Sequence, residues 1–390
     1  MIRILQGDVR DMLKTLPAES VHCVVTSPPY WGLRDYGTAS WDGGDPECNH
    51  KADLQKERPE LVNGVSSWGP RDGRPTKECP HCGAKRIDRQ IGMEPTMGEH
   101  IETMVGVFRE VRRVLRKDGT CWLNYGDCYA TAPNGRSAAD TKATGNDDRT
   151  FRDKPFSTVG GTLKPKDLCM IPNRLAIALQ DDGWWVRSEI IWSKPNPMPE
   201  SVTDRPATAH EKVWLLTKSA RYYYDAEAVR RPMAAASVDR LSQDVGSQEG
   251  SHRAHAGGKT NGTMKAVGRK TDKQRGHSRR HAGFNDRWDA MPREEQQANG
   301  ANLRNVWTIP TKGYSEAHFA TFPPALVEPC IKAGCPADGT VLDPFGGSGT
   351  TGMVADRLGR NAILIELNPE YADLIRKRIH DDAGMFAEVS

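Results

Sequence analysis

The stretch VLDPFGGSGTTG, Val341–Gly352, decides how the rest of the chain is read. Residues 340–342 read as a short buried strand and residues 351–358 as a helix. Between them lies a turn built on Gly347-x-Gly349-x-x-Gly352. Glycines in such a turn let the backbone come close to a ligand. A second strand is expected over 362–365, and it delivers a carboxylate, Glu366, about 20 residues beyond the turn, where a ribose would lie. Working outward, further short apolar runs fall at 3–5, 21–26, 121–123, 185–192 and 212–217. Apolar residues spaced for one helix face fall at 101–115 and 171–179, with a shorter helix at 11–16. Lys117-Asp118-Gly119 is expected to stop the helix at 101–115 before the strand at Cys121. Strands alternating with helices predict an α/β protein whose parallel sheet is covered on both faces.

By itself the glycine pattern is shared by NAD, FAD and S-adenosylmethionine sites, and by turns that hold nothing. Asp343-Pro344-Phe345 shifts the balance. A pyrophosphate has no use for a carboxylate at the strand tip, whereas a cationic sulfonium that also carries an ammonium group does. The other end of the chain raises a matching question. VVTSPPYWGLRDYG, residues 24–37, runs from a buried strand straight into Ser27-Pro28-Pro29-Tyr30. Two prolines remove two backbone donors and fix φ, so neither strand nor helix continues through them. The result is a rigid corner with a hydroxyl at its start and an aromatic ring at its end.

Together, the proline corner and the DPF-glycine turn resemble the amino-methylating DNA methyltransferases. Their order here, catalytic motif first and cofactor motif last, is that of the permuted β class. Gly7-Asp8 resembles that family's adenine-contacting turn. Residues 183–225 resemble its paired strands and DNA-side loop, and residues 318–331, with Phe322, its first cofactor helix. The resemblance covers roughly residues 1–38, 97–130, 165–226 and 303–380. It implies a Rossmann-like sheet that binds S-adenosylmethionine. Asp8, Phe322, Asp343, Phe345, Gly347, Ser348, Gly349, Thr350 and Glu366 would line the cofactor. Double-stranded DNA would be the substrate.

The chemistry explains the corner. The exocyclic amine of adenine or cytosine is a poor nucleophile because its lone pair is delocalised into the ring. Two acceptors aimed at its two N–H bonds pull the nitrogen toward a tetrahedral geometry. Ser27 Oγ and the Pro28 carbonyl are the natural pair, Pro29 stiffens the corner, and Tyr30 can stack on a base flipped out of the duplex. In the family a serine at the first position is commoner in cytosine-N4 enzymes, while stand-alone bacterial and phage enzymes more often make N6-methyladenine. The reading inclines narrowly to adenine-N6, with cytosine-N4 as the alternative.

Two segments interrupt the expected core. Residues 40–96 carry Cys48-x-His50 and Cys79-x-x-Cys82, a Cys₃His set for a structural zinc knuckle in a segment with too few large apolar residues to fold alone. His81 is a spare ligand. Residues 231–302 form a basic insertion: 251–283 hold nine Lys or Arg, Arg275, Arg279 and Arg280 among them, against one acidic residue, Asp272. Such a run can contact phosphates or simply be a solvated charge face. Lys194 and Arg205, at the edges of the DNA-side loop, are further candidates for DNA contact. The expected organisation is a catalytic core over 1–39, 97–230 and 303–390, with a mobile loop at 131–165.

Composition narrows the alternatives. Of 390 residues 37% are apolar and the net charge is only +3, so any nucleic-acid footprint is local. Nine cysteines, an odd number, fit reduced thiols in a cytoplasmic protein, and no run is apolar enough for a membrane span. An RNA or protein-amide acceptor is a second enzyme reading; the basic insertion and zinc knuckle favour duplex DNA, because a small amide substrate would need neither. A non-catalytic DNA-binding regulator would not need the intact corner, and a nicotinamide dehydrogenase leaves that corner unexplained. A homodimer fits the class, and a restriction endonuclease, if there is one, would be a separate chain.

Overall fold

The computed structural model describes residues 1–33, 38–48, 78–131, 157–234, 238, 291, 292, 295, 300–312 and 322–383. The chain divides into two compact units, one formed by Met1–Asp225 with Asn305–Ser390 and the other by Ala226–Arg304. His50, Arg275, Arg279, Arg280 and most of the 131–165 loop lie outside the described residues. In the second unit the described backbone includes a reciprocal pairing of Arg231 with Ala301, at 2.9 and 2.7 Å.

The first unit is built on an eight-stranded sheet. In chain order its strands are β1 (Ile2–Gln6), β2 (Val21–Thr26), β5 (Leu115–Tyr125), β6 (Trp185–Ser193), β7 (His210–Thr217), β8 (Val306–Thr308), β9 (Thr340–Asp343) and β10 (Asn361–Glu366). A separate antiparallel ribbon pairs β3 (Ser40–Asp42) with β4 (Lys85–Ile87). The spatial order of the large sheet is β1-β10-β9-β2-β5-β7-β6-β8. From β1 to β5 all neighbours are parallel. β7 then runs antiparallel to both β5 and β6. An all-parallel sheet is therefore the wrong expectation for this third of the molecule. Residues 194–209, between β6 and β7, contain no helix of the kind that usually carries a chain across to a parallel neighbour.

Among the described residues of this unit the α-helices are α1 (Val9–Met12), α2 (Met97–Val114), α3 (Ile171–Asp181), α4 (Pro324–Gly334), α5 (Thr350–Arg357) and α6 (Pro369–Ala383). Helix α2 opens with a capping box, Thr96 Oγ1 accepting from the Glu99 N–H and Glu99 Oε2 from the Thr96 N–H, both at 3.2 Å. Its apolar stripe, Met104, Phe108 and Val111, is buried in one core cluster with Leu175 and Leu179 of α3 and Val21 and Val24 of β2. The opposite face of the sheet meets α4, where Thr120 Oγ1 donates to the Gly334 carbonyl at 3.3 Å. Two-residue alternation along β2 and β5 thus feeds two helical layers.

β5 begins six residues earlier than the sequence suggests. Leu115 already pairs with Val21 and Thr120 with Cys23, so residues 116–119 bulge out of a continuous strand rather than separating helix from strand. Among the described residues no helix is long and apolar enough to cross a membrane.

Candidate active site

The chain leaves β9 through α5 toward β10 on one side, and leaves β2 through α2 toward β5 on the other. Adjacent β9 and β2 are thus the point where the winding reverses, and a crevice opens at their carboxyl ends. One cavity occupies it. Gly7 and Asp8 after β1, Ser27 and Pro29 after β2, Phe345, Gly347, Ser348 and Thr350 after β9, and Glu366 at the end of β10 all line it, as does Phe322. Residues from both ends of the sequence therefore meet in one space.

Not every cofactor candidate reaches that space. Asp343 is 1% exposed and does not line the cavity, although Pro344 and Phe345 beside it do. Its carboxylate accepts from Thr26 Oγ1 and Thr351 Oγ1, each at 2.7 Å, and from the Phe345 N–H at 3.1 Å. Burial pushes this carboxyl up to about 7, against those three donors, and the nearby Glu366 adds to the rise. Glu366 uses one oxygen to hold the Gly347 N–H at 2.8 Å and the other to hold the Asn368 N–H at 2.9 Å, which ties the glycine turn to the end of β10. Burial raises its pKa too, the backbone donors opposing. Gly349 sits behind the turn as the N-cap of α5. Arg378 of α6 braces the turn, donating to the Ser348 carbonyl and to the Ser348 and Thr350 hydroxyls at 2.8–3.0 Å. Asp8 caps α1 through the Arg10 N–H and is gripped by the Arg10 guanidinium at 2.8 and 2.5 Å. Burial raises its carboxyl, but Arg10 and the charge of Arg89 outweigh that and leave it below the ordinary value.

The proline corner is held from behind. Tyr30 stacks on Tyr125 with centroids 4.6 Å apart, and a Cβ on Gly126 would come within 2.7 Å of the Tyr30 ring, so only glycine fits there. The Trp31 N–H donates to the Tyr125 hydroxyl at 3.1 Å, which His100 Nε2 approaches at 2.7 Å, while His100 Nδ1 meets Glu94 Oε2 at 2.8 Å. At the tip, the Tyr30 hydroxyl lies 3.3 Å from Ser27 Oγ and donates to Glu211 Oε2 at 2.9 Å. Burial, then the Glu211 charge, raise the Tyr30 phenol well above its ordinary value, so it stays protonated.

The described DNA-contact candidates are both engaged within the chain. Lys194 Nζ lies 2.5 Å from Glu211 Oε1 and 4.4 Å from the Trp192 ring centroid. Arg205 pairs with Glu200 at 2.7 Å and covers the Tyr129 ring at 3.7 Å. Beside the β3–β4 ribbon, Cys48, Cys79 and Cys82 bring their sulfurs within 4.8 Å of one another, and Cys48 Sγ lies 3.8 Å from Cys79 Sγ. That is far beyond a disulfide bond, and it matches the edge of a tetrahedron whose metal–sulfur distance is about 2.3 Å.

Sequence reasoning missed Arg89, Gln90 and Ile91, which follow the ribbon and line the cavity, and Asn368 and Tyr371 at the start of α6. It also missed Glu211 and Asn124. No local pattern marks Arg89, Gln90, Ile91, Glu211 or Asn124. The Asn-Pro start of a helix just after Glu366 was the one usable signal.

A glycine-turn cavity at a winding reversal, faced by a Ser-Pro-Pro-Tyr corner, defines an α/β transferase with a nucleoside cofactor. The sequence model of the DNA methylase family, the N6/N4 amino-methyltransferases, matches residues 21–377. The chain is 38% identical over 379 residues to the type II methyltransferase M.XycI of Xanthomonas campestris pv. cyanopsidis, covering 96% of this chain and 87% of that one. It is 37% identical over 380 residues to the type II methyltransferase M.Cfr9I of Citrobacter freundii, covering 97% and 88%. The fold is similar to that of the PvuII DNA methyltransferase, described as cytosine-N4-specific, at a TM-score of 0.51 and 17% identity over 97% of this chain and 90% of that one. The chain belongs to the N6/N4 DNA methylase family: it is a site-specific DNA methyltransferase that uses S-adenosylmethionine.

Proposed function

We propose that the protein methylates the N4 amine of cytosine within a short recognition sequence in duplex DNA. The observation that carries this reading is the neutral hydroxyl at the first clamp position: Ser27 lines the cavity and is tied to Tyr30. Serine there is the commoner choice among cytosine-N4 enzymes of the family. The cytosine-N4-specific name of the PvuII enzyme of like fold supports the same base. The consideration favouring adenine concerned stand-alone enzymes, and it weakens beside relatives named type II methyltransferases. Adenine-N6, toward which the sequence reading inclines, is the alternative. Relatives of that class also make a separate restriction endonuclease the expected partner.

The residues that line the cavity fit S-adenosylmethionine, since the rings of Phe322 and Phe345 share it with the carboxylates of Asp8 and Glu366 and the glycine turn. When bound, the cofactor supplies a methyl group on a cationic sulfur. Glu366 would take the ribose hydroxyls, Asp8 the adenine amine, and Gly347, Ser348 and Thr350 would close over the amino-acid portion. Asp343 would act across the turn through its charge. Ser27 Oγ and the Pro28 carbonyl would accept the two N–H bonds of the flipped base and Tyr30 would cover its face. The methyl group would pass directly to nitrogen as its bond to sulfur breaks to leave a neutral thioether, and the surplus amine proton would leave to solvent, so the chain needs no covalent intermediate.

Cys48, Cys79 and Cys82, with His50 as the fourth ligand, would hold a structural zinc in a closed, non-catalytic site. Arg275, Arg279 and Arg280 would contact phosphates.

The deciding experiment is single-molecule sequencing with modified-base detection on host DNA, with and without the expressed protein. N4-methylcytosine in one short context is the expected result. N6-methyladenine in that position would overturn the base assignment and keep the enzyme class.

A further inference from the structure

The hydrogen bonds behind the clamp determine which way the Ser27 hydroxyl points. Tyr30 has a single phenolic proton. Two acceptors lie behind it, Glu211 Oε2 at 2.9 Å and Asn124 Oδ1 at 3.3 Å. Glu211 has no proton to give in return, because its other oxygen is ion-paired with Lys194 at 2.5 Å and Asn124 Nδ2 donates to Oε2 at 3.1 Å. Whichever acceptor takes it, the phenolic proton points away from Ser27. What the phenol turns toward Ser27 Oγ, 3.3 Å away, is a lone pair. Ser27 is therefore the donor in that contact, and its own lone pairs are left facing the cavity it lines.

The direction matters because a target amine offers N–H donors to its clamp. A serine whose proton faced the cavity would oppose those N–H bonds and leave the nitrogen lone pair in the ring. We propose that Glu211, held by Lys194 and Asn124, is a positioning residue for methyl transfer. By taking the Tyr30 proton it turns the Ser27 hydroxyl so that an acceptor meets the substrate amine. This rests on the clamp reading of Ser27, and it assigns Lys194 to the rear of the clamp, 2.5 Å from Glu211, alongside any role at the DNA surface.

The test compares four variants of the full-length protein on a duplex containing the recognition site: Ser27→Ala, Tyr30→Phe, Glu211→Gln and the Tyr30→Phe/Glu211→Gln double. In Glu211→Gln the amide oxygen stays on Lys194, so the amide N–H₂ replaces the nearer acceptor of the phenolic proton and leaves only Asn124 Oδ1, at 3.3 Å, to hold that proton away from Ser27. Expected is a kcat loss of about tenfold or more for Glu211→Gln, with the S-adenosylmethionine Kd and the KM for DNA within about twofold. In the double variant the Glu211 change should add nothing beyond Tyr30→Phe, because its route runs through that hydroxyl. A structural role would instead lower the melting temperature and multiply onto the Tyr30→Phe loss, and either that multiplication or an unchanged kcat overturns the proposal. Ser27→Ala separates the two readings. If it leaves kcat unchanged the clamp itself fails; if it slows turnover while Glu211→Gln does not, only the positioning role fails.

Discussion

Asp343 does not reach the cavity, so the effect proposed for it on the cofactor is one of charge alone. Its carboxyl is locked among Thr26, Thr351 and the Phe345 N–H, one residue behind the cavity wall, and burial lifts it to about 7. Below that pH the group is mostly protonated and neutral; above it, it is a carboxylate. A cationic cofactor favours the carboxylate, so binding at lower pH must expel a proton, and that costs affinity. Affinity for S-adenosylmethionine should therefore rise with pH up to about 7 and level off above it, at most about tenfold per pH unit for a single proton. Glu366, also raised by burial, contributes in the same direction. Titration calorimetry across this range checks the trend. Asp343→Asn should flatten the slope and weaken binding at pH 8, and S-adenosylhomocysteine, without the sulfonium charge, should show a shallower slope with the native protein. An unaltered slope in Asp343→Asn would place the proton elsewhere.

Among the elements, the glycine turn separates two costs that a motif merges. Gly349 has φ +76°, and a Cβ there would lie 2.8 Å from Ile375 Cγ2 of α6, while Gly347, at φ +51°, has nothing closer than 3.8 Å. Either alanine is strained in the left-handed region by about 1–2 kcal/mol. Gly349→Ala must in addition push α6 away from the turn. It should lower the melting temperature clearly more than Gly347→Ala, which thermal unfolding of the two variants measures. Equal shifts would mean that Ile375 gives way freely. These glycines, the two prolines of the clamp and the alternating strands could be read in the sequence because each constrains its own backbone. The elements misread were those whose form is set by a distant partner. β5 starts at Leu115 because Val21 is there to pair with it, and β7 turns antiparallel because no helix precedes it. Glu211 and Asn124 were invisible for the same reason. They are polar residues on β7 and β5, and only sheet pairing brings them behind Tyr30.

At the scale of the whole molecule, function depends on what the insertions add to the core. The 251–283 run supplies positive charge that a net +3 chain otherwise lacks. Neutralising Arg275, Arg279 and Arg280 together should reduce the slope of log affinity for DNA against log salt by about 2–3, and an unchanged slope would leave that run a solvated tail. The cysteine cluster is connected to the core more tightly. The β3–β4 ribbon beside it continues into residues 88–91, where Arg86 pairs with Asp88 at 3.0 Å, Arg89 reaches Asp11 at 2.8 Å, and Arg89, Gln90 and Ile91 line the cavity proposed for the cofactor. On the proposed zinc reading, a segment this poor in large apolar side chains would take its order from the metal. The purified protein should hold about one zinc per chain, and Cys79→Ser should lose it. Because the wall and the ribbon are one piece of chain, removing the metal with a chelator should also weaken S-adenosylmethionine binding, by about tenfold if the wall is released, and added zinc should restore it. Metal loss without a change in cofactor affinity would show that Arg89–Ile91 are held by the core alone. Full cofactor affinity in protein that never contained metal would remove the knuckle from the account of the active site.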